Sequence, residues 1–310
     1  MSTSAPVISD NAYSTRHHRG DPLPAELFER SDARGLIRLG IHLTLLACTT
    51  GLLAASPGTV FILPAIVLHG VVLIFLFSPL HECIHSTAFG SRRLNDAVAS
   101  VCGALLLLPR EYFRAFHLTH HRYTQDPERD PELAVKKPET KAEYLLHLSG
   151  LPYWRERLTT LIRHAQGKVK ERFISKSKRP TIVREARIHL ALYVLAAAVS
   201  LAAESGALLL FWVVPVMLGQ PFLRAFLLAE HTGCPLVPDM LGNTRTTLSN
   251  PAVRLLSWNM PYHAEHHAWA AVPFHALPQA HRLARGRVRH LERGYIKFHG
   301  RLWRRLKKSG

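Results

Sequence analysis

Apolar residues along this chain come in long uninterrupted blocks, and the polar residues gather between them. Leu36 to Ala55 (LIRLGIHLTLLACTTGLLAA) and Val60 to Leu80 (VFILPAIVLHGVVLIFLFSPL) each run about 20 residues. In a helix rising roughly 1.5 Å per residue, that length covers a hydrocarbon layer of about 30 Å. Ser56-Pro57-Gly58 supplies the turn between them. A second pair, Ile188 to Ala203 and Gly206 to Ala229, is joined only by Glu204-Ser205. Leu94 to Leu108 is apolar too, but it is short for a crossing, and Pro109-Arg110-Glu111 stops it. The pattern therefore predicts an all-α integral membrane protein. It has four transmembrane helices at about 36–55, 60–80, 188–203 and 206–229, one short re-entrant or interfacial helix, and a helical cap built from the polar segments.

Charge orients this arrangement. The chain carries 39 Lys and Arg against 22 Asp and Glu, a formal net charge of +17. The turns after the first and third blocks hold no Lys or Arg. The N-terminus, Arg110 to Arg187 and Arg282 to Lys308 are rich in them, which places both termini and the middle segment in the cytoplasm. The excess then reflects topology and an anionic lipid surface, and no nucleic-acid partner is expected. The expected organisation is a cytoplasmic segment over 1–35, a membrane domain over 36–282 and a basic cytoplasmic tail over 283–310. The first 35 residues have no apolar core, so no cleavable signal peptide is expected and the first span serves as its own signal. Cys48, Cys83, Cys102 and Cys234 show no paired spacing, and disulfides are not expected.

Histidine changes the picture from architecture to chemistry. Three clusters, His81-Glu82-Cys83-Ile84-His85, His117-Leu118-Thr119-His120-His121 and His263-Ala264-Glu265-His266-His267, lie just outside the apolar blocks on the cytoplasmic side. Positions i, i+3 and i+4 share a helix face, so each cluster points its imidazoles one way. Imidazole suits iron, zinc, copper and nickel alike, so ligand type does not name the metal. Eight ligands exceed what one zinc needs and suit two ions with positions left open. His81-Glu82-Cys83-Ile84-His85 read alone is an HExxH zinc-protease motif with Glu82 as general base, a reading that leaves the other two clusters without work. A metal transporter or sensor would need ionisable residues inside the spans, where only His42, His69 and Arg224 stand. The isolated histidines, among them His17, His18, His147, His164, His275, His281 and His299, are expected to be solvated or facing head groups.

The order HxxxH, HxxHH, HxxHH around four spans resembles the membrane fatty acid desaturase superfamily, which includes related hydroxylases and ketolases. The likeness covers roughly residues 36–282. His120-His121-Arg122-Tyr123-Thr124-Gln125-Asp126 with Asp130-Pro131 is similar to the family's second box, and Asn259-Met260-Pro261-Tyr262-His263-Ala264-Glu265-His266-His267 to its third. The resemblance implies a ninth ligand, His231, at the end of the last span, joining His81, His85, His117, His120, His121, His263, His266 and His267. Two departures stand out, Glu82 where Asp is common and Ala270-Ala271 where a proline is usual; neither removes a ligand.

What the resemblance implies for activity is O2-dependent chemistry on two iron ions, with desaturation of a fatty acyl or other lipid chain first. Hydroxylation or ketolation of a lipid or carotenoid comes second, and desaturation of a small amino-acid-like metabolite third. Glu82, Asp126, Asp130, Glu230 and Glu265 flank the boxes and are candidates to hold the free N–H of ligating imidazoles; ordinary salt bridging with arginine is the competing role for Asp126 and Asp130. Phe222, Trp258, Tyr262 and Trp269 are candidate walls for an apolar substrate, or interface anchors. No fused haem, flavin or CxxC segment is visible, so an external electron carrier of ferredoxin, rubredoxin or cytochrome type is expected, with the basic face suited to an acidic partner.

Overall fold

The computed structural model describes residues 22–308; His17, His18 and most of the expected N-terminal segment lie outside the described residues. Among the described residues, four helices are long and apolar enough to cross a membrane, Asp32–Ala54, Ile62–Ile84, Lys176–Ala202 and Leu209–His231, so each expected block is found. The first, α1 (Asp32–Ala54), begins where Ser31 Oγ accepts the Arg34 N–H at 3.2 Å, a side-chain cap on an otherwise unpaired donor. The second span is two helices, α2 (Ile62–Ile74) and α3 (Phe77–Ile84). Pro79 has no N–H to offer the Phe75 carbonyl, which accepts from Ser78 at 2.9 Å instead, so the helix steps sideways and then carries His81.

Next comes α4 (Arg92–Leu105), the short apolar segment, with Asn95, Ala99, Cys102 and Gly103 buried along one face and Val101 exposed. Its last carbonyls are satisfied from the spans: Ala104 accepts from the Tyr193 hydroxyl at 2.7 Å and Leu105 from Trp212 Nε1 at 2.8 Å. Helix α5 (Arg110–Tyr123) holds the second histidine cluster. Helices α6 (Lys141–Ser149) and α7 (Leu151–Ala165) meet at Gly150, whose φ of 72° makes the turn and whose Cα lies against Gln220. Span three is α8 (Arg179–Ala202), which begins before the expected Ile188 because Arg184 and Arg187 simply continue the helix outside the apolar zone. Span four is α9 (Val214–His231), preceded by a π-helical turn over Leu209–Val213 and containing Pro221.

Five short helices finish the chain: α10 (Met240–Asn243), α11 (Pro251–Leu256), α12 (His263–Ala268), α13 (Leu277–Ala284) and α14 (Tyr295–Arg305). Between them, β1 (Arg245–Leu248) pairs in parallel with β2 (His290–Arg293), Thr246 opposite Leu291. The basic segment 283–310 was expected as a tail, yet its described part is folded onto the bundle. Tyr295 stacks on Phe226 at 5.1 Å, His299 Nε2 meets the Ala225 carbonyl at 3.0 Å, and Lys307 pairs with the strand-like turn at Thr140.

Two glycines set the height of the spans. A Cβ on Gly70 would fall 2.2 Å from the Pro215 carbonyl oxygen, and one on Gly219 would fall 2.2 Å from that of Gly70. Backbones of α2 and α9 thus touch where no side chain fits, the small-residue contact typical of helices in lipid. His81 and His231 each lie about three turns beyond this crossing, roughly 17 Å at 1.5 Å per residue, and so end level with one another. His42 and His69, the intramembrane histidines, tie helices together: His42 Nε2 lies 2.9 Å from the Val72 carbonyl, and His69 bridges Thr49 Oγ1 and the Phe211 carbonyl at 3.0 Å each.

Candidate metal centre and its cavity

Each histidine is delivered by a different local device. His81 and His85 sit at the end of α3 beyond the Pro79 step, His117, His120 and His121 fill the last turns of α5, and His231 is the last residue of α9. The third box forms α12, which is entered through Trp258 and Asn259, both with positive φ, held by Asn259 Nδ2 donating to the Phe274 carbonyl at 3.0 Å.

These elements bring all nine imidazoles together in two groups. His81, His85, His117, His121 and His266 offer nitrogens that all lie within 4.8 Å of one another, and His120, His231 and His267 form a second such set. His263 stands against the second, its Nε2 3.1 Å from that of His267 and 3.3 Å from that of His231. His121 and His267 stack at 4.0 Å and join the groups.

The donor set fits metal ions. His117 Nε2 lies 2.8 Å from His85 Nε2, and both ring nitrogens of His121 and of His266 are buried without a hydrogen-bond partner, a concentration of orphaned polar atoms that folded proteins avoid unless something else satisfies them. Burial, followed by the neighbouring imidazoles, holds His117, His121, His263, His266 and His267 well below the usual histidine pKa, and burial with His120 and Arg114 brings His85 down to about 3. Neutral imidazoles with lone pairs aimed inward are what metal binding requires. His120 differs. Burial works against its charge, but Asp130 and Glu132 outweigh it and hold it above the usual range.

The flanking carboxylates divide. Asp130 Oδ1 lies 2.9 Å from His120 Nδ1, the position that orients a ligand. Asp126 instead accepts from the Glu128 and Arg129 backbone and from Arg129 Nε at 2.6 Å. Glu265 holds Thr246 and His281, each at 2.5 Å, and so braces α12 from behind. Glu82 accepts from Thr87 Oγ1 at 2.7 Å and from the Phe274 N–H at 3.2 Å, so no ligand imidazole is its partner and it is not placed as the general base of a protease. Glu230 Oε2 stands 3.5 Å from His263 Nε2. Glu132, which the histidine pattern does not single out, places its Oε2 3.3 Å from His120 Nε2; its position directly after Asp130-Pro131 is the signal in the sequence that marks it.

A cavity of about 340 Å³ reaches this centre at His81, His117, His120 and His263. Its apolar wall comes from Phe77, Phe113, Phe116, Tyr153, Phe173 and Phe226. The four aromatics expected as walls do not line it. Phe222 is 47% exposed, Trp258 is fully buried against Phe274, Tyr262 accepts from Arg254 at 3.0 Å, and Trp269 is core. The wall is aromatic for a different reason: α5 and α7 lie across the centre and present their own rings to it.

Fold and site together define a helical membrane protein with a two-group polyhistidine centre at one end of its spans. The fatty acid desaturase family model matches residues 34–299, and the chain belongs to that family. It is similar to the Delta(12) fatty acid desaturases of Mortierella isabellina and Mortierella alpina, 31% identical over 139 residues in each case, which is 42% of this chain and 32% of theirs. It is also similar to the sn-1 oleoyl-lipid 12-desaturase of a Picosynechococcus species, 28% identical over 119 residues, 38% of this chain and 34% of that one. The chain thus spans about a third of the length of the curated relatives it matches.

Proposed function

We propose that the protein is an O2-dependent di-iron membrane oxidoreductase that introduces a double bond into a fatty acyl or other lipid chain. The observation that carries this reading is the division of nine clustered imidazoles into a group of five and a group of three plus His263 beside an aromatic-walled cavity. His81, His85, His117, His121 and His266 would hold one ion, and His120, His231, His263 and His267 the other. When bound, two irons with O2 supply the power to remove hydrogen from an unactivated C–H bond. The relatives' names, which specify desaturases of fatty acid or oleoyl lipid, support an acyl chain as substrate.

The chain's own residues contribute position and exclusion. Asp130 keeps the His120 proton on Nδ1 and leaves Nε2 facing the centre. Phe77, Phe113 and Phe226 present an apolar wall that excludes water and fixes which carbons face the histidines. Conversion of a CH2–CH2 unit to an alkene releases two hydrogens, so reduction of O2 to two waters consumes two more electrons and two protons. Those electrons come from a separate carrier of ferredoxin, rubredoxin or cytochrome type, docking on the basic face, with the histidine boxes and both termini in the cytoplasm.

The test is iron per chain on detergent-purified protein, with His120→Ala as control, followed by lipid analysis of cells carrying either form. Two irons, lost in the variant, and a new double bond are expected. One zinc retained in His120→Ala refutes the reading, and a new oxygen atom in place of the double bond converts it to a hydroxylase.

A further inference from the structure

The same cavity holds an unpaired cation. Arg224 lies on α9, and among the described residues it has no ion pair and no hydrogen bond: its Nε is shielded from solvent without a partner, and its guanidinium carbon stands 4.4 Å from the centre of the Tyr153 ring. Its nearest candidates are taken. Glu132 is bound by Lys137 at 2.6 Å, and Glu230 faces His263. Arg157, 9% exposed, shares that ring, with its carbon 5.6 Å from the Tyr153 centre and 5.1 Å from that of Tyr112; Glu156 takes one of its terminal nitrogens, while its Nε also lacks a partner.

A charge placed inside a membrane span is costly unless something compensates it, and a stacked ring is partial compensation at best. Guanidinium groups are fitted to carboxylate and phosphate oxygens, which they bind in pairs of parallel hydrogen bonds. We propose that Arg224, with Arg157 at the same Tyr153 ring, holds an anionic head group of the substrate, a carboxylate or a phosphate, inside this cavity. The inference deepens the reading of the site as a lipid oxidase and rests on it. Arg224 and His231 are seven residues apart on one helix face, about 10 Å along the axis, so the head group sets how far along the chain the oxidised carbon falls. Gly150 gives the arrangement its closeness: a Cβ there would meet Gln220 Cγ at 2.5 Å, so α7, bearing Tyr153 and Arg157, lies directly on the α9 turn that bears Arg224.

Calorimetric titration of the iron-loaded protein in neutral detergent with dodecanoate, dodecyl phosphate and dodecanol tests this. An anionic probe should bind about tenfold more tightly than the alcohol, on the order of 1.4 kcal/mol. That ratio should fall towards one in Arg224→Gln and survive in part in Arg224→Lys. Preference for dodecanoate identifies a free acid as the source of the anion, and preference for dodecyl phosphate a phosphate-linked head; either supports the shared chemistry. A wild-type protein that does not discriminate, or a ratio unchanged in Arg224→Gln, overturns it, and the wild-type ratio decides alone if the variant fails to fold. Iron content on the same samples separates the two failures, because loss of discrimination with two irons retained leaves the oxidase reading standing.

Discussion

Replacing Gly70 by alanine tests the idea that the α2–α9 contact sets the height of the metal centre. The added Cβ would lie 2.2 Å from the Pro215 carbonyl oxygen and 2.9 Å from its carbon, where contacts under 3.0 Å are essentially never seen. Both obstacles are backbone, so no side chain can swing away and the helices must part by about 0.8 Å. A gap of about that width forfeits a quarter to a half of each dispersion contact along the seam, and overpacking of this kind costs about 1–3 kcal/mol. Gly40→Ala is the control: nothing lies within 4 Å of its new Cβ, and alanine there gains about 1 kcal/mol of helix propensity. Both glycines are helical, so the propensity gain is common to the two variants, and they should differ by the overpacking alone, about 1–3 kcal/mol in stability.

The larger consequence is at the histidines. Metal–ligand bonds tolerate about ±0.2 Å, whereas His231 on α9 would move relative to His81 on α3 by several times that. Gly70→Ala should lose iron, from the His120–His231–His267 group above all, and melt several degrees below Gly40→Ala in a neutral-detergent thermal scan. Equal iron and equal melting temperatures in the two variants would refute the reasoning.

Three further outcomes are expected. Metal-free protein should lose stability as pH falls from about 6.5 towards 4, because burial brings His85 to about 3 and His147 to about 4, so the unfolded chain binds the extra protons across that window; the slope is at most about 1.4 kcal/mol per unit per group, and identical denaturant midpoints at pH 7.5 and 5.5 would contradict it. His42→Leu should destabilise the protein by about 1–3 kcal/mol through the stranded Val72 carbonyl and Trp258 indole, yet keep both irons; iron loss without destabilisation would make His42 part of the centre. Raising ionic strength should slow reduction by the physiological electron carrier if it docks on the basic face, and salt-insensitive turnover would exclude that docking mode.

The spans and the histidine clusters are legible because both are local patterns. Hydrophobic length reports a crossing directly, and i, i+3, i+4 spacing reports a face, so all four helices and every clustered histidine could be found without knowing any long-range contact. What escaped depends on packing between distant segments. Tyr153 and Arg224 meet only because Gly150 lets α7 lie on α9, and nothing within either segment announces it. The cavity wall is hidden for the same reason: Trp258 and Tyr262 flank the third box in sequence but do not line the cavity, while Phe113 and Phe116 enter it from the preceding turns of the second box. Folding of the basic C-terminal segment was hidden because four-residue strands such as Arg245–Leu248 are too short to show an alternation.

The two HxxHH boxes share a spacing but are used in opposite senses, and this explains how nine imidazoles from four elements divide into two adjacent groups. In a helix, residues i and i+4 lie about 40° apart around the axis and i+3 about 60° to the other side. His117 and His121 accordingly join the first group while His120 crosses to the second; His263 and His267 belong with the second while His266 crosses to the first. Each box therefore straddles both groups, and α5 and α12 each tie the two together. The HxxxH of α3 and the single His231 of α9 need only one spacing each, since each serves one group. The separation of the two groups is then fixed by the width of a helix face, which is far stiffer than any loop, and the spans are left to bring the four elements level.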